Sequence, residues 1–221
     1  CYICTQALHW KTKEGLVRGC ACRGTSGFAH VSCLAEQAKI LVAEAEENNW
    51  DSDRFMPRLE RWYSCSLCEQ EYHGVVRGAL GWACWKTYVD RPEADGARKL
   101  AMNQLGNGLE LARRHEDALS VREAELAMYR RLGASESEIL EVQNNLANSY
   151  VKLGRFEEAL PLRQDVYSGQ LKLNGEEDRD TFMAANNYAT SLFSLDRYAE
   201  AKSVLRKTIP VTRRVLGENQ D

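Results

Sequence analysis

Residues 20–34, CACRGTSGFAHVSCL, place three cysteines and a histidine within fifteen positions. Disulfides, a metal, a catalytic thiol and plain core packing all produce such crowding, and the rest of the chain has to choose. Cys1 and Cys4 form C-x2-C, and Cys20 and Cys22 form C-x-C. His30 and Cys33 follow as H-x2-C, then Cys65 and Cys68 as a second C-x2-C. These eight candidates divide into two sets of four, the number a structural zinc site takes. Two ligands on one tight turn lose little further entropy when a metal closes the site. One histidine in register with seven cysteines fits zinc better than a disulfide framework. C-x-C neighbours make poor disulfide partners for each other, and a catalytic Cys–His pair leaves six thiols unexplained.

The surrounding composition supports that choice. Seven of the eight cysteines fall within residues 1–68, the eighth is Cys84, and none follows. Beyond it the chain turns to Ala, Leu, Glu and Arg at helical spacing, so a boundary is expected around residues 75–95, near RPEADG, where Pro92 suits a helix start. Net charge is −3 and the pI about 5.9 over 221 residues, which gives no broad electrostatic case for nucleic acid or an anionic membrane. No apolar run approaches the roughly 18 residues of a spanning helix. The chain opens on a cysteine without a basic-then-apolar leader. It reads as a segment of a longer soluble, cytoplasmic protein, with the nucleus as the alternative compartment.

At CYIC (1–4), CRGTSGFAHVSCL (22–34) and CSLCEQEYHG (65–74) the order of four Cys, one His and three Cys resembles a RING-CH (RINGv) domain. The resemblance covers residues 1 to about 75. A PHD finger, a histone-tail reader, shares the ligand order and favours an aromatic where Tyr63 stands. The single residue between Cys20 and Cys22 and the seven before His30 favour RING-CH. The resemblance implies a cross-brace: Cys1, Cys4, His30 and Cys33 hold the first Zn2+, and Cys20, Cys22, Cys65 and Cys68 the second. Tyr72 and Gly74 match the family's close.

RING families dock a ubiquitin-conjugating enzyme carrying ubiquitin; all zinc positions are filled, so zinc itself activates no water. By resemblance Ile3, just before the second ligand, is the apolar contact for that enzyme, expected exposed on a knuckle with little core to enter. Gln37 stands where family members often have Trp, and Trp50 or Trp62 could replace it or simply pack. Glu69 stands where many active RINGs place a basic residue. His9, His73 and His115 lie outside the ligand spacing and read as surface or packing residues, and Cys84 as a buried small hydrophobe.

Self-comparison organises the remainder. NNLANSYVKLGRFEEAL (144–160) recurs as NNYATSLFSLDRYAEAK (186–202), 42 residues on, and more weakly as NQLGNGLELARRHEDAL from 103, 41 residues earlier. RLGASE, KLNGEE and VLGENQ close the three units, the last running into residues 218–220. Each unit reads as two amphipathic helices that must stack on neighbours to bury their faces. The G-x-[FY]-x-E-A turn with NNLA and LG resembles tetratricopeptide repeats of the kinesin light chain kind, over about residues 97–217.

The expected architecture is therefore a small zinc-stabilised RING-CH domain (α+β, irregular) at 1–75, a helical connector at 76–96 and an all-α tetratricopeptide solenoid. Its repeats are placed at about 97–137, 138–179 and 180–217, with the array continuing beyond Asp221. First helices of such arrays line a concave groove, which puts Asn103, Asn107, Asn144, Asn148 and Asn186 inward with Asn145 and Asn187 beside them. Their amides, donor and acceptor at once, suit the backbone of an extended peptide. Together the parts imply a RING-type ubiquitin ligase whose partners are a conjugating enzyme and a protein bound in the groove. A non-catalytic adaptor is the alternative.

Overall fold

The computed structural model describes residues 1–217. The chain divides into two compact units, Cys1–Val121 and Arg122 onward. Among the described residues there are nine α-helices and a single 3-10 turn, Glu60–Trp62. The β component of the expected fold is limited to two isolated antiparallel bridges, Val17–Ala29 and Ser64–Glu71.

In the first unit the chain runs without helix to His30, then forms α1 (Val31–Glu47), α2 (Ser52–Leu59), α3 (Gly74–Tyr88) and α4 (Gly96–Leu111). Two apolar clusters lie side by side. One gathers Ala29, Leu34, Tyr72, Val76 and Leu80 around Cys20 and Cys65. The other gathers Ala38, Val42, Leu59, Trp62, Cys84, Tyr88, Ala97 and Ala101. Residues four apart share a helix face, so α1 gives Leu34 to the first cluster and Ala38 to the second, and α3 does likewise with Leu80 and Cys84. Trp62, 1% exposed, meets Tyr88 edge-to-face at 5.7 Å and donates its indole N–H to the Tyr88 hydroxyl at 3.3 Å. A buried indole with its donor satisfied is a packing residue. Trp50, half-buried, carries the Arg58 guanidinium 5.1 Å from its ring centroid instead.

The segment expected as a connector thus contributes Val76, Leu80, Cys84 and Tyr88 to the first unit's core. Helix α4 packs on α3 through a seam that tolerates no side chain. A Cβ on Gly81 would stand 2.4 Å from the Gln104 carbonyl oxygen, and one on Gly108 3.0 Å from the Gly78 Cα. Pro92 does not start α4. It lies in the preceding turn, its carbonyl accepting from the Asp95 N–H, while the Asp95 carboxylate caps the helix by accepting from the Arg98 N–H. The division between units falls inside α5 (His115–Arg131).

The second unit continues with α6 (Glu136–Lys152), α7 (Phe156–Asn174), α8 (Arg179–Ser194) and α9 (Tyr198–Gly217), each packed on the next. Ser135 opens α6 with a capping box: its hydroxyl accepts from the Glu138 N–H while the Glu138 carboxylate accepts from the Ser135 N–H. Within the α6–α7 and α8–α9 pairs a left-handed residue turns the chain, Gly154 at φ 73° and Asp196 at φ 58°. Arg113 at φ 58° does the same before α5. Its core includes Leu140, Val166 and Ala184 in one cluster and Leu160, Ala189, Leu192 and Ala201 in another.

Candidate metal centre and repeat groove

Folding brings the eight ligand candidates together as two sets: Cys1, Cys4, His30 and Cys33, and Cys20, Cys22, Cys65 and Cys68. Within each set the ligand atoms lie within 4.8 Å of one another. With Zn–S bonds of about 2.3 Å and Zn–N of about 2.0 Å, tetrahedral ligands stand about 3.5–3.8 Å apart. The Sγ atoms of Cys22 and Cys65 are 3.8 Å apart, and the Sγ atoms of Cys4 and Cys33 stand 3.4 and 3.5 Å from His30 Nδ1. These spacings match those of ligands sharing one metal and are far from the roughly 2.05 Å of a disulfide; every cysteine is free.

The imidazole is oriented for the same purpose. His30 is fully buried, presents Nδ1 to the sulfurs, and keeps Nε2 3.3 Å from the Ala7 carbonyl oxygen. A carbonyl oxygen only accepts, so Nε2 carries the proton and Nδ1 offers its lone pair, the tautomer a ligand needs. His9, packed edge-to-face on His30 at 5.4 Å and accepting the Thr12 N–H at Nδ1, is a packing residue. His73 is exposed at the start of α3, and His115 is half-buried at the start of α5.

Gly27 makes the second set possible. Its φ is +77°, and a Cβ there would lie 2.7 Å from the Cys22 Cβ and 2.9 Å from the Cys20 Sγ. The sulfurs also bear on one another electrostatically. Desolvation, then the neighbouring thiols, push Cys22 up to about 12, and desolvation with Cys4 nearby pushes Cys33 up to about 11. Cys68 is held down at about 7, chiefly by the backbone N–H of Gln70. Four thiolates will not share such a site without a cation; a divalent ion removes that repulsion and takes the protons' place. The donor set, spacing and tautomer fit zinc, with no open coordination position.

Two apolar side chains ride on the ligand knuckles. Ile3, expected exposed, is half-buried against the Cys20–Tyr72 cluster, because its knuckle rests on that cluster. Leu67, between Cys65 and Cys68, is 52% exposed. Sequence reading missed Leu67, although it occupies the same place in its C-x2-C pair as Ile3 does. Gln37 is half-buried on α1, and Glu69 is exposed with a left-handed φ of 59°.

The asparagines divide between the units. In the first, Asn103 and Asn107 are half-buried on α4, and the Asn107 amide N–H donates to the Asn103 amide oxygen at 3.0 Å. In the second, Asn144 and Asn187 line one cleft of about 260 Å³ together with Glu141 and Asp180. Asn186 is exposed and lines a separate groove formed with α9 by Phe182, Met183 and Ile209. Asn145 is half-buried, and Asn148 lies one turn beyond Asn144. A residue absent from the sequence reading joins two of them. Arg163 of α7, 4% exposed, donates to the amide oxygens of Asn144 at 2.5 Å and Asn148 at 2.6 Å. Burial pushes its pKa down to about 10, so it is still charged at neutral pH.

Comparison with known proteins agrees with this geometry. Residues 1–68 match the RING-variant domain family, and residues 139–180 and 181–220 match the tetratricopeptide repeat family. No curated protein sequence matches the chain. Among solved structures, BtubC (BKLC) from P. vanneervenii is similar at 15% identity and a TM-score of 0.61. That match covers 87% of this chain and 78% of that one. A kinesin-light-chain-type protein of Podosopora anserina with nearly identical TPR-like repeats gives 16% identity, 85% and 78% coverage and a TM-score of 0.54. PlcR of Bacillus thuringiensis, solved with the peptide PapR7 and DNA, gives 13% identity, 84% and 66% coverage and a TM-score of 0.58. At such identities the likeness concerns the fold. Among the described residues no helix is long and apolar enough to cross a membrane.

Proposed function

We propose that this chain, a RING-variant domain followed by tetratricopeptide repeats, is part of a ubiquitin-protein ligase that binds two zinc ions. The zinc domain would recruit a ubiquitin-conjugating enzyme, and the repeat groove a protein substrate. The observation that carries the reading is the pair of closed four-ligand sets with an apolar residue on each C-x2-C knuckle, Ile3 and Leu67. With its coordination filled, zinc supplies a rigid frame and no bond-making chemistry. Catalysis then rests on docking: the frame holds the conjugating enzyme and its ubiquitin thioester for attack by a substrate lysine. The groove raises the local concentration of that lysine, since tethering converts the second encounter into an intramolecular one.

Glu69 favours a second reading. An exposed carboxylate stands immediately after the last ligand, where a RING ligase contacting ubiquitin uses a basic residue, and this suits a non-catalytic adaptor. Autoubiquitination with a panel of conjugating enzymes separates the two. The ligase reading expects transfer by the parent chain. It also expects a roughly ten-fold or greater loss in Ile3→Ala with both zincs retained, the size of a lost apolar interface contact. A parent chain silent with every enzyme leaves the adaptor; an active parent with an unaffected Ile3→Ala moves the docking surface elsewhere.

A further inference from the structure

The repeats place an arginine at one register and treat it in three ways. Arg122, Arg163 and Leu205 occupy matching positions of successive second helices, 41 and 42 residues apart. Arg122 is fully buried and forms an ion pair with Glu125 at 2.7 Å, both side chains 1% exposed. In the next repeat Val166 stands where Glu125 would be, and Arg163 forms no ion pair with a carboxylate among the described residues. Its Nε is buried without a partner, and its two terminal nitrogens go to the amide oxygens of Asn144 and Asn148.

A guanidinium only donates, so it dictates which end of each amide faces it. Both oxygens point at Arg163 and both NH2 groups point away. Neither NH2 group has a hydrogen-bond partner among the described residues, and neither nitrogen is among the buried unpartnered atoms. Asn144 and Asn148 are one helical turn apart, which spaces the two donors by about 6 Å along α6. Asparagines free to turn either way would offer donor and acceptor alike; these two are held as donors, polarised by an unneutralised charge behind them. The adjoining cleft lining supplies Glu141 and Asp180 and no Lys, Arg or His. Neither acid is in an ion pair among the described residues.

We propose that Arg163 is the positioning residue of this groove, holding Asn144 and Asn148 as paired donors for main-chain carbonyls of an extended peptide whose basic side chains meet Glu141 and Asp180. The inference rests on the groove reading above and adds its polarity and its ligand charge. An acidic peptide would be drawn toward Arg163 only through the two asparagines while facing both carboxylates directly.

The test pans a displayed library of short random peptides against the whole chain, then titrates one selected synthetic peptide by fluorescence anisotropy. Selected peptides are expected to be rich in Lys and Arg. Arg163→Leu, which installs the residue found at the matching position of the next repeat, frees the amides to turn and is expected to weaken binding several-fold without lowering Tm. Asn144→Asp with Asn148→Asp keeps the shape and gives Arg163 its missing counter-charge while deleting both donors. That variant is expected to melt higher and bind at least ten-fold more weakly, which tests the two donors, while the loss of binding in Arg163→Leu at unchanged Tm is the separation that a purely structural Arg163 does not produce. Enrichment of acidic peptides, binding unaffected by Arg163→Leu, or undiminished binding by the double aspartate variant overturns the proposal. Failure to select any peptide overturns the groove reading itself.

Discussion

Residues 1–30 and the helices of the second unit reach a folded state by opposite routes. In the first thirty residues the buried positions are Gly19, Cys20, Gly27, His30, His9 and Ala29; no large aliphatic side chain is among them. That segment has no apolar core of its own, and three of its six buried positions are the candidate ligands Cys20 and His30 and the glycine, Gly27, packed against the Cys20 and Cys22 side chains. The second unit, by contrast, buries Leu140, Val142, Leu146, Leu160, Val166 and Leu192 between helices that each pack on the next. With the proposed zinc, one region depends on coordination bonds between residues far apart in sequence, the other on nearest-neighbour apolar contact. A fold written in ligands is vulnerable to chelation and acid; one written in leucines is not.

Metal removal should break this symmetry most strongly. Structural zinc supplies on the order of 10 kcal/mol per site in small zinc domains, so two sites together exceed the roughly 5–15 kcal/mol a typical domain has in reserve. Chelation is expected to abolish amide exchange protection over residues 1–73 while α6–α8 keep theirs, read by hydrogen exchange with mass spectrometry. Loss of protection throughout, or none anywhere, contradicts the separation.

Core truncations come next. Trp62→Ala removes a fully buried indole and its bond to Tyr88, for about 3–5 kcal/mol, and Leu192→Ala about 2–5 kcal/mol. Both lower stability, yet only Trp62→Ala should loosen zinc, because α1 and α3 carry its cluster alongside the ligand cluster. Zinc release to a colorimetric chelator measures the difference; equal release from the two variants removes the distinction.

Gly27→Ala is smaller in stability and sharper in location. The left-handed φ costs an alanine about 1–2 kcal/mol, and the Cβ must displace the Cys22 side chain. Competition with a chelator is expected to show one zinc lost early and one retained, the retained site being that of His30. Smallest of all is Leu67→Ala. At an exposed position it should change stability by no more than about 0.5 kcal/mol, while ubiquitin transfer falls if the knuckle is a docking site.

Much of this was legible because ligand spacing is a local signal. The four close pairs in the sequence are the pairs that folding joins two by two into the two sets, and the 42-residue offset marks the two repeats that the family model matches. What escaped reading depended on tertiary neighbours. Trp62 could replace the family's tryptophan or pack, and only its contact with Tyr88 settles that it packs. Gly78, Gly81 and Gly108 are unremarkable as letters and become a helix seam only when α4 lies on α3. Ile3 gave no hint that its knuckle rests on Tyr72 and Cys20. Arg163 did leave a trace: aligning the repeats sets Arg122, Arg163 and Leu205 in register, and the loss of Glu125's counterpart marks the odd one. The same register singled out the asparagines as groove candidates, but the turning of the Asn144 and Asn148 oxygens toward Arg163 is visible only once α7 lies beside α6.

Zinc content tests the central claim most directly. Elemental analysis of the freshly reduced parent chain should give two zinc ions per chain, falling to one in Cys65→Ser, whose sulfur belongs to the second set alone. One zinc or none in the parent chain would contradict the two closed sites on which the rest of the reading stands.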